Sequence, residues 1–207
     1  YMRAFGLGEP TALDFPGEAR GILRPNSKWR GTENVTVAYG QGVAATAIQL
    51  VSAVNVIANR GVYVAPKLVS EVVSPTGERT VTMPSATRRV VSAEVASRMN
   101  LLMQVKVKGY TIAGKTGTGY KAQKNGTYFD EQGRRAYYAS FVGFLPAESP
   151  RITVLVSIDE PPPGAKHFGA NTAAPVFNKI ARAAIVELGI QAPAAGQGCP
   201  KAKSDKP

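Results

Sequence analysis

The hexapeptide from Gly114 to Gly119, Gly-Lys-Thr-Gly-Thr-Gly, constrains the fold more than any other part of this sequence. Read from Gly109, it fits the phosphate-loop pattern G-x-x-x-x-G-K-[ST], in which the Lys-Thr pair opens an α-helix. Read from Lys115, it is a Lys-Thr-Gly motif, which lies on a β-strand. The same residues therefore require a helix in one fold and a strand in another.

The neighbouring residues favour the strand. Gly117 and Gly119 would fall in the first turn of the required helix, where each glycine costs about 1 kcal/mol relative to alanine. Thr111 and Ile112 are β-branched and strand-like, whereas a phosphate loop needs small, flexible residues at these positions. We therefore expect a strand over residues 110–118.

One further segment supports the nucleotide-binding alternative. Residues 152–160 form a hydrophobic run that ends in Asp159 and Glu160, as in the strands that hold magnesium in nucleotide-binding enzymes. The run alternates apolar residues as an antiparallel strand does, and no crossover helix can be placed between Thr118 and Ile152. A phosphate-loop protein is therefore the less favoured alternative.

The hydrophobic content, the net charge and the few cysteine and histidine residues limit which functions the chain can have. The 207 residues are 44% hydrophobic, which suits one globular domain or a large part of one. The net charge of +11 is spread along the chain without an aromatic-interleaved basic strand, so we expect no nucleic-acid partner. Cys199 and His167 are the only residues of their types, so we expect no metal site and no cofactor, and a Ser-His-Asp triad would have a single candidate base.

The rest of the sequence predicts an α+β fold with an antiparallel sheet flanked by helices. Thr46 and Gln49 form a capping-box pattern at the start of a helix that Gly61 ends. A second helix is expected from Ser92 to about Gln104. The other predicted elements are a loop over residues 1–30, strands at 62–64, 68–73, 110–118, 136–144 and 152–159, a turn at 75–77, a helix at 173–188 with Phe177, Ile180, Ala181, Ala184 and Ile185 on one side, and a disordered tail at 191–207.

A strand that carries Lys-Thr-Gly can form one wall of an acyl-enzyme cleft. Lys115 would present an ammonium group and Thr116 a hydroxyl, while Gly117 leaves room for a substrate against the backbone. The free edge of the strand can pair with an extended peptide. The backbone N–H of Thr118 is well placed to donate to an oxyanion.

Several segments resemble the class B penicillin-binding proteins and, more narrowly, the division-specific septal peptidoglycan transpeptidases. They are residues 1–23, 38–61 with Tyr-Gly-Gln-Gly, 109–119 with Gly-Lys-Thr-Gly-Thr, and 138–161 with Phe-x-Gly-Phe-x-Pro, followed by Phe168-Gly169. Each is weak alone, but together and in this order they are specific. The resemblance implies a penicillin-binding transpeptidase or serine β-lactamase-like fold.

The activity that this resemblance implies is that of a serine D,D-transpeptidase, which cross-links peptidoglycan stem peptides through an acyl-enzyme and is acylated by β-lactams. Such enzymes use a serine in S-x-x-K, a second motif S-x-N, and K-[TS]-G; the first two are absent from this sequence. Because the family places both before a segment like residues 1–23, we expect residues 1–190 to be the C-terminal part of the domain. The Gly/Thr-rich loop that usually precedes the motif is also absent, so we expect residues to be missing near 105–106.

The resemblance assigns roles to the residues that match the motif. Lys115 would direct positive charge toward the serine–lysine pair and the substrate carboxylate. The hydroxyls of Thr116 and Thr118 would bind that carboxylate, with Gly117 beside the substrate. The N–H of Thr118 would complete the oxyanion hole, so that Lys115 and Thr118 are the expected catalytic residues.

Three aromatic residues are further substrate-binding candidates. Tyr137, His167 and Phe168 occur where the family often places aromatic side chains around the cleft. They are expected either to line the cleft or to serve packing alone.

The resemblance also implies partners and a location. The expected partners are peptidoglycan stem peptides, β-lactam antibiotics, the remaining N-terminal part of the same domain and membrane proteins of the divisome. The catalytic domain would lie on the outer face of the cell membrane, anchored by an N-terminal segment absent from this chain. Two alternatives stay open beside the nucleotide-binding protein: a noncatalytic scaffold module of the division machinery, and a serine β-lactamase.

Overall fold

The structure, a computed structural model, describes residues 1–13, 15–107, 109–124, 126–162 and 167–192. The chain divides into two compact units, Tyr1–Ala96 and Ser97–Pro207. The predicted tail at 191–207 lies outside the described residues from position 193 onward. None of the helices in the described ranges has the length and apolar content needed to cross a bilayer.

The first unit joins an irregular segment to short strands and two helices. As predicted, residues 1–30 are mostly irregular, and the turn at 75–77 is confirmed by a bond from the Gly77 N–H to the Ser74 carbonyl, 2.9 Å. The predicted strand at 68–73 is shorter than expected. The elements are β1 (Ile22–Leu23), α1 (Glu33–Thr36), β2 (Val43–Ala44), α2 (Ala47–Ala58), β3 (Val62–Val64), β4 (Glu71–Val73), β5 (Arg79–Val81) and β6 (Thr87–Arg89), with β1–β2, β3–β6 and β4–β5 paired antiparallel.

The predicted capping box at the start of α2 is confirmed, and it also fixes the irregular segment. Thr46 Oγ1 accepts from the Gln49 N–H, and Gln49 Oε1 accepts from the Thr46 N–H at 3.0 Å. The buried amide of Gln49 then donates through Nε2 to the carbonyls of Glu9 and Arg20, at 2.7 and 2.8 Å. One side chain therefore caps a helix and holds two loop carbonyls.

The end of α2 differs from the prediction. The helix stops at Ala58, and Arg60, with φ of 51°, takes the left-handed position that usually favours glycine. Gly61 follows with its N–H bonded to the Val56 carbonyl at 2.7 Å. Glycine is required at position 61 because φ is 87° and a Cβ would overlap the Val91 carbonyl.

The second unit contains the antiparallel sheet that the turn signals predicted. Its strands lie in the order Ile152–Asp159, Tyr137–Leu145, Tyr110–Tyr120 and Gln104–Val107, and the predicted helix at 173–188 lies against the first two. Residues 104–107 form a strand, so the prediction that the second helix extends to about Gln104 is wrong. This strand pairs with residues 110–113 in a hairpin, near the position where residues were expected to be missing. The elements are α3 (Ala93–Leu102), which begins in the first unit, then β7 (Gln104–Val107), β8 (Tyr110–Tyr120), β9 (Tyr137–Leu145), β10 (Ile152–Asp159) and α4 (Ala173–Glu187).

A pair of facing glycines makes room for the central aromatic residue of this unit. Gly114 of β8 is paired with Gly143 of β9, and a Cβ on Gly114 would lie 2.6 Å from the ring of Phe141. The Phe141 ring packs against Phe177 of α4 with centroids 4.6 Å apart. We call Gly114 and Gly143 the glycine seat of Phe141.

One residue of α4 is more exposed than predicted. Phe177 and Ala181 are buried against the sheet, as expected. Ile180, predicted on the same side, is 42% exposed. At about 100° per residue, Ile180 lies about 60° from Phe177 on the side away from Ala181, so it is at the edge of the buried stripe and is partly exposed.

Substitutions at two glycines of the same sheet should change stability in opposite directions. Gly143→Ala would bring a Cβ within 2.7 Å of the Ala113 carbonyl, whereas a Cβ on Gly119 meets nothing within 4 Å. We expect Gly143→Ala to lower the free energy of unfolding by about 1–3 kcal/mol, and Gly119→Ala to leave it unchanged or raise it by about 0.5 kcal/mol. Urea unfolding of both variants measures the difference, and equal stability would contradict the close-approach argument.

Removal of the Gln49 amide should destabilise the first unit. Gln49→Ala leaves the Thr46 N–H and the two loop carbonyls without their side-chain partner. We expect a loss of about 3 kcal/mol in the free energy of unfolding, measured by urea denaturation. Gln132→Ala, at an exposed position, is the matched control and should change stability by less than about 0.5 kcal/mol.

Candidate functional site

The hexapeptide lies on β8, where one edge of the strand is open. β7 pairs with β8 only from Tyr110 to Ala113, and the Gly114 N–H then donates to the Met103 carbonyl at 2.9 Å. Beyond this point, no strand in the described ranges pairs with that edge from Lys115 to Tyr120, which we call the open edge. A helix after Thr116 is therefore excluded, and with it the phosphate-loop geometry.

Backbone alternation decides which groups face the open edge. Successive N–H groups of a strand point to opposite edges, and the Gly114 N–H points toward the β7 side. The N–H groups of Thr116 and Thr118 therefore point to the open edge as well. The N–H expected to donate to an oxyanion is thus available for an external acceptor.

The side chain of Lys115 lies on one face of the strand, and the side chains of Thr116 and Thr118 lie on the other face. Lys115 is paired with Val142, while Thr116 and Thr118 are paired with the buried residues Phe141 and Ala139. The exposed Lys115 Nζ turns back and donates to the Thr116 carbonyl at 3.0 Å. Because that carbonyl shares the direction of the Thr116 N–H, the ammonium group lies at the open edge.

Gly169 packs directly against the motif. A Cβ on this buried glycine would overlap the Ser140 carbonyl and lie 2.8 Å from the Gly117 carbonyl. The Gly169 N–H donates to Thr118 Oγ1 at 3.2 Å. The Thr118 hydroxyl is thereby oriented with its own proton free to be donated to a ligand.

The three predicted aromatic residues are brought together beside this glycine. Tyr137 and His167 are stacked with centroids 4.1 Å apart, and Phe168 lies 4.2 Å from His167. We call these three residues the aromatic shelf. Phe168 is 50% exposed, so the shelf is open to solvent at the residue nearest to Gly169.

Tyr120, for which the sequence predicted no role, extends the aromatic shelf along the sheet. Tyr120 is the cross-strand partner of Tyr137, and their rings lie 5.4 Å apart. Tyr128 adds a third ring at 5.8 Å from Tyr120. Only the register of the β8–β9 pair relates these residues, and two tyrosines 17 positions apart give no local signal.

The acidic residues at the end of β10 form ion pairs with Lys121, which directly follows β8. Lys121 Nζ lies 2.8 Å from a carboxylate oxygen of Asp159 and 2.8 Å from one of Glu160. The hydrogen bond to Asp159, followed by the bond to Glu160, raises the pKa of the Lys121 ammonium above its ordinary value. The carboxylates that the nucleotide-binding alternative assigned to magnesium are thus bound by Lys121, which fixes the end of β8.

A protein-family model and the sequences of individual relatives match this chain. The family model described as the penicillin binding protein transpeptidase domain matches residues 1–182. Stage V sporulation protein D of Bacillus subtilis is 35% identical over 203 residues, which cover 92% of this chain and 30% of that protein. The peptidoglycan D,D-transpeptidase FtsI of Buchnera aphidicola is 32% identical over 189 residues, which cover 90% of this chain and 32% of that protein.

A solved structure agrees in fold. Penicillin binding protein 3 of Mycobacterium tuberculosis, complexed with ampicillin, superposes with a TM-score of 0.82 at 29% identity, over 95% of this chain and 47% of that one. The chain therefore spans about a third of the length of these curated relatives and about half of the solved chain. The predicted penicillin-binding transpeptidase fold is confirmed.

Loss of the Lys121 ion pairs should loosen the end of β8 without unfolding the protein. Because the pKa of Lys121 is raised on folding, its contribution is present at neutral pH and is lost as the pH rises through the folded-state pKa. We expect Lys121→Met to speed amide exchange at residues 119–121 while the midpoint of global urea unfolding stays unchanged, because the carboxylates of Asp159 and Glu160 are exposed and solvent screens the ion pairs. Lys124→Met, at an exposed lysine of the same loop, should leave the exchange unchanged.

Proposed function

The chain belongs to the penicillin-binding protein transpeptidase family, and we propose that it supplies one wall of the active site of a serine D,D-transpeptidase that cross-links peptidoglycan stem peptides. The observation that carries this proposal is the open edge of β8, which presents the ammonium of Lys115 together with the N–H groups of Thr116 and Thr118. A cation and free strand donors on one edge suit an extended peptide that ends in a carboxylate.

In this proposal, the substrate's terminal carboxylate is held by the Lys115 ammonium and by the hydroxyls of Thr116 and Thr118. The Gly169 N–H supports the assignment, because it occupies a lone pair of Thr118 Oγ1 and leaves the hydroxyl proton for the ligand. A Cβ at Gly117 would lie 2.6 Å from Ser140 Oγ, so glycine at this position makes room for the side chain of the neighbouring strand while the peptide pairs with the open edge.

The chemical step follows the acyl-enzyme sequence of the family. A serine hydroxyl outside this sequence attacks the carbonyl of the penultimate D-alanine, its proton passes to a base, and the terminal D-alanine leaves as an amine. The Thr118 N–H, directed to the open edge, donates to the oxyanion of the tetrahedral intermediate together with the N–H of the serine itself. An amine of a second stem peptide then displaces the serine and forms the cross-link.

β-Lactams would enter the same site as acylating analogues of the peptide end. The superposable Mycobacterium tuberculosis protein is complexed with ampicillin, which supports the same behaviour here. The Buchnera aphidicola relative, a peptidoglycan D,D-transpeptidase, supports peptidoglycan as the substrate. We place the whole protein at the septum, on the outer face of the cell membrane and in contact with divisome membrane proteins.

A noncatalytic scaffold is the second candidate, and one sequence observation favours it. Neither S-x-x-K nor S-x-N occurs in the 207 residues. If the full-length protein also lacks a serine with the required lysine, the fold would serve binding rather than acyl transfer. A serine β-lactamase would differ from both by rapid hydrolysis of its acyl-enzyme.

Covalent labelling with a fluorescent penicillin tests the proposed function. The full-length protein should carry a label that survives denaturing electrophoresis for hours, whereas residues 1–207 alone should not be labelled, because the attacking serine is elsewhere. We expect Lys115→Ala to slow labelling on the order of 100-fold, because a charge that stabilises the bound carboxylate and the acylation step is lost. Lys124→Ala is the matched control and should label as the parent does. An unlabelled full-length protein would overturn the transpeptidase proposal, and a label that is lost within seconds would indicate a β-lactamase.

A further inference from the structure

The side chain of Arg135 contacts Tyr120, the last residue of the open edge. The guanidinium of Arg135 lies between two aromatic rings, 4.5 Å from the centroid of Tyr120 and 4.5 Å from that of Phe129. Its Nη1 also donates to the Tyr120 hydroxyl at 2.8 Å. Contact with two rings and one hydroxyl orients the guanidinium at an exposed position.

Arg135 has no carboxylate partner among the described residues. The carboxylate of Asp130, in the same loop, is bound by Arg134 instead. Arg134 Nε lies 2.9 Å from Asp130 Oδ2, and the backbone N–H of Arg134 also donates to the Asp130 carboxylate. Those hydrogen bonds, the one from the backbone N–H first, hold the pKa of the Asp130 carboxyl below its ordinary value. The two adjacent arginines therefore differ: Arg134 is paired within the loop, and Arg135 keeps N–H donors for an external acceptor.

The open edge leads a ligand toward this arginine. β7 and the Met103 carbonyl close the edge of β8 up to Gly114, so an extended ligand bound at Thr116 and Thr118 has free strand to pair with only in the direction of Tyr120. Thr118 and Tyr120 are on the same face of the strand and about 7 Å apart. The Tyr120 ring, which carries Arg135, thus lies about two peptide residues from the carboxylate site.

We propose that Arg135 is a specificity-determining residue that binds a second carboxylate, carried by the peptide ligand two to three residues before its terminal carboxylate. A planar fork with free N–H donors matches a carboxylate better than any neutral group. Tyr120 and Phe129 position the fork, and the aromatic shelf contacts the intervening part of the ligand. The proposal rests on the transpeptidase function proposed above.

A pair of acyl-donor peptides that differ in one group tests the proposal. The two thioester peptides share the acylating end and carry either a glutamyl or a glutaminyl residue two positions before it. With the full-length protein, we expect kcat/KM for acylation to favour the glutamyl peptide about 10-fold, because a charged pair with a fixed guanidinium is gained. Arg135→Gln should bring the ratio of the two values close to one, and Arg135→Lys should give an intermediate ratio because the charge stays but the fork is lost.

Arg134→Gln is the matched control, since Arg134 is the adjacent exposed arginine and is engaged by Asp130. It should keep the wild-type ratio. Penicillin labelling of each variant reports whether the site is still folded. A wild-type ratio near one would overturn the proposal, and so would an Arg135→Gln variant that slows both peptides equally and keeps the ratio. If neither peptide nor penicillin acylates the wild-type protein, the transpeptidase function itself has failed, and the inference falls with it.

Discussion

The packing of Phe141 on its glycine seat determines the geometry of the second unit. Gly114 and Gly143 face each other across β8 and β9 and leave room for the Phe141 ring, which contacts Phe177 of α4. Protein interiors are close-packed, and a side chain at either glycine would lift the ring and the helix together. Lys115 follows Gly114 directly, so the motif begins next to the position where β8 packs against this aromatic ring.

An open strand edge is normally a hazard, because its unpaired N–H and C=O groups can pair with other chains. Here β7 covers β8 only as far as Ala113, and the Lys115 ammonium lies on the carbonyl of Thr116 at the exposed part. A charge at an edge discourages non-specific strand pairing while it attracts a carboxylate-ended ligand. In the proposed function, the same lysine therefore protects the edge and helps to select the ligand that binds to it.

Local signals in the sequence predicted much of this fold. Glycines in what would be a first helical turn, next to β-branched residues, placed the hexapeptide on a strand, and the spacing of Thr46 and Gln49 located the start of α2. β7 was missed because Gln104–Val107 is too short to separate from the helix before it. The end of α2 was misplaced because a non-glycine residue, Arg60, adopts the left-handed conformation. The grouping of Tyr120, Phe129 and Arg135 depends on the register of β8 with β9 and on the path of the loop, which no local pattern encodes.

The hydrogen bond between Gly169 and Thr118 joins segments that are 51 residues apart in the chain. A ligand that takes the Thr118 proton is sensitive to the position of that N–H, and therefore to the turn at residues 168–172 that leads into α4. Substitutions at Asn171 or Thr172 in this turn would therefore act on such a ligand indirectly, through the Gly169 N–H. The orientation of the Thr118 hydroxyl therefore depends on a turn that lies outside the hexapeptide.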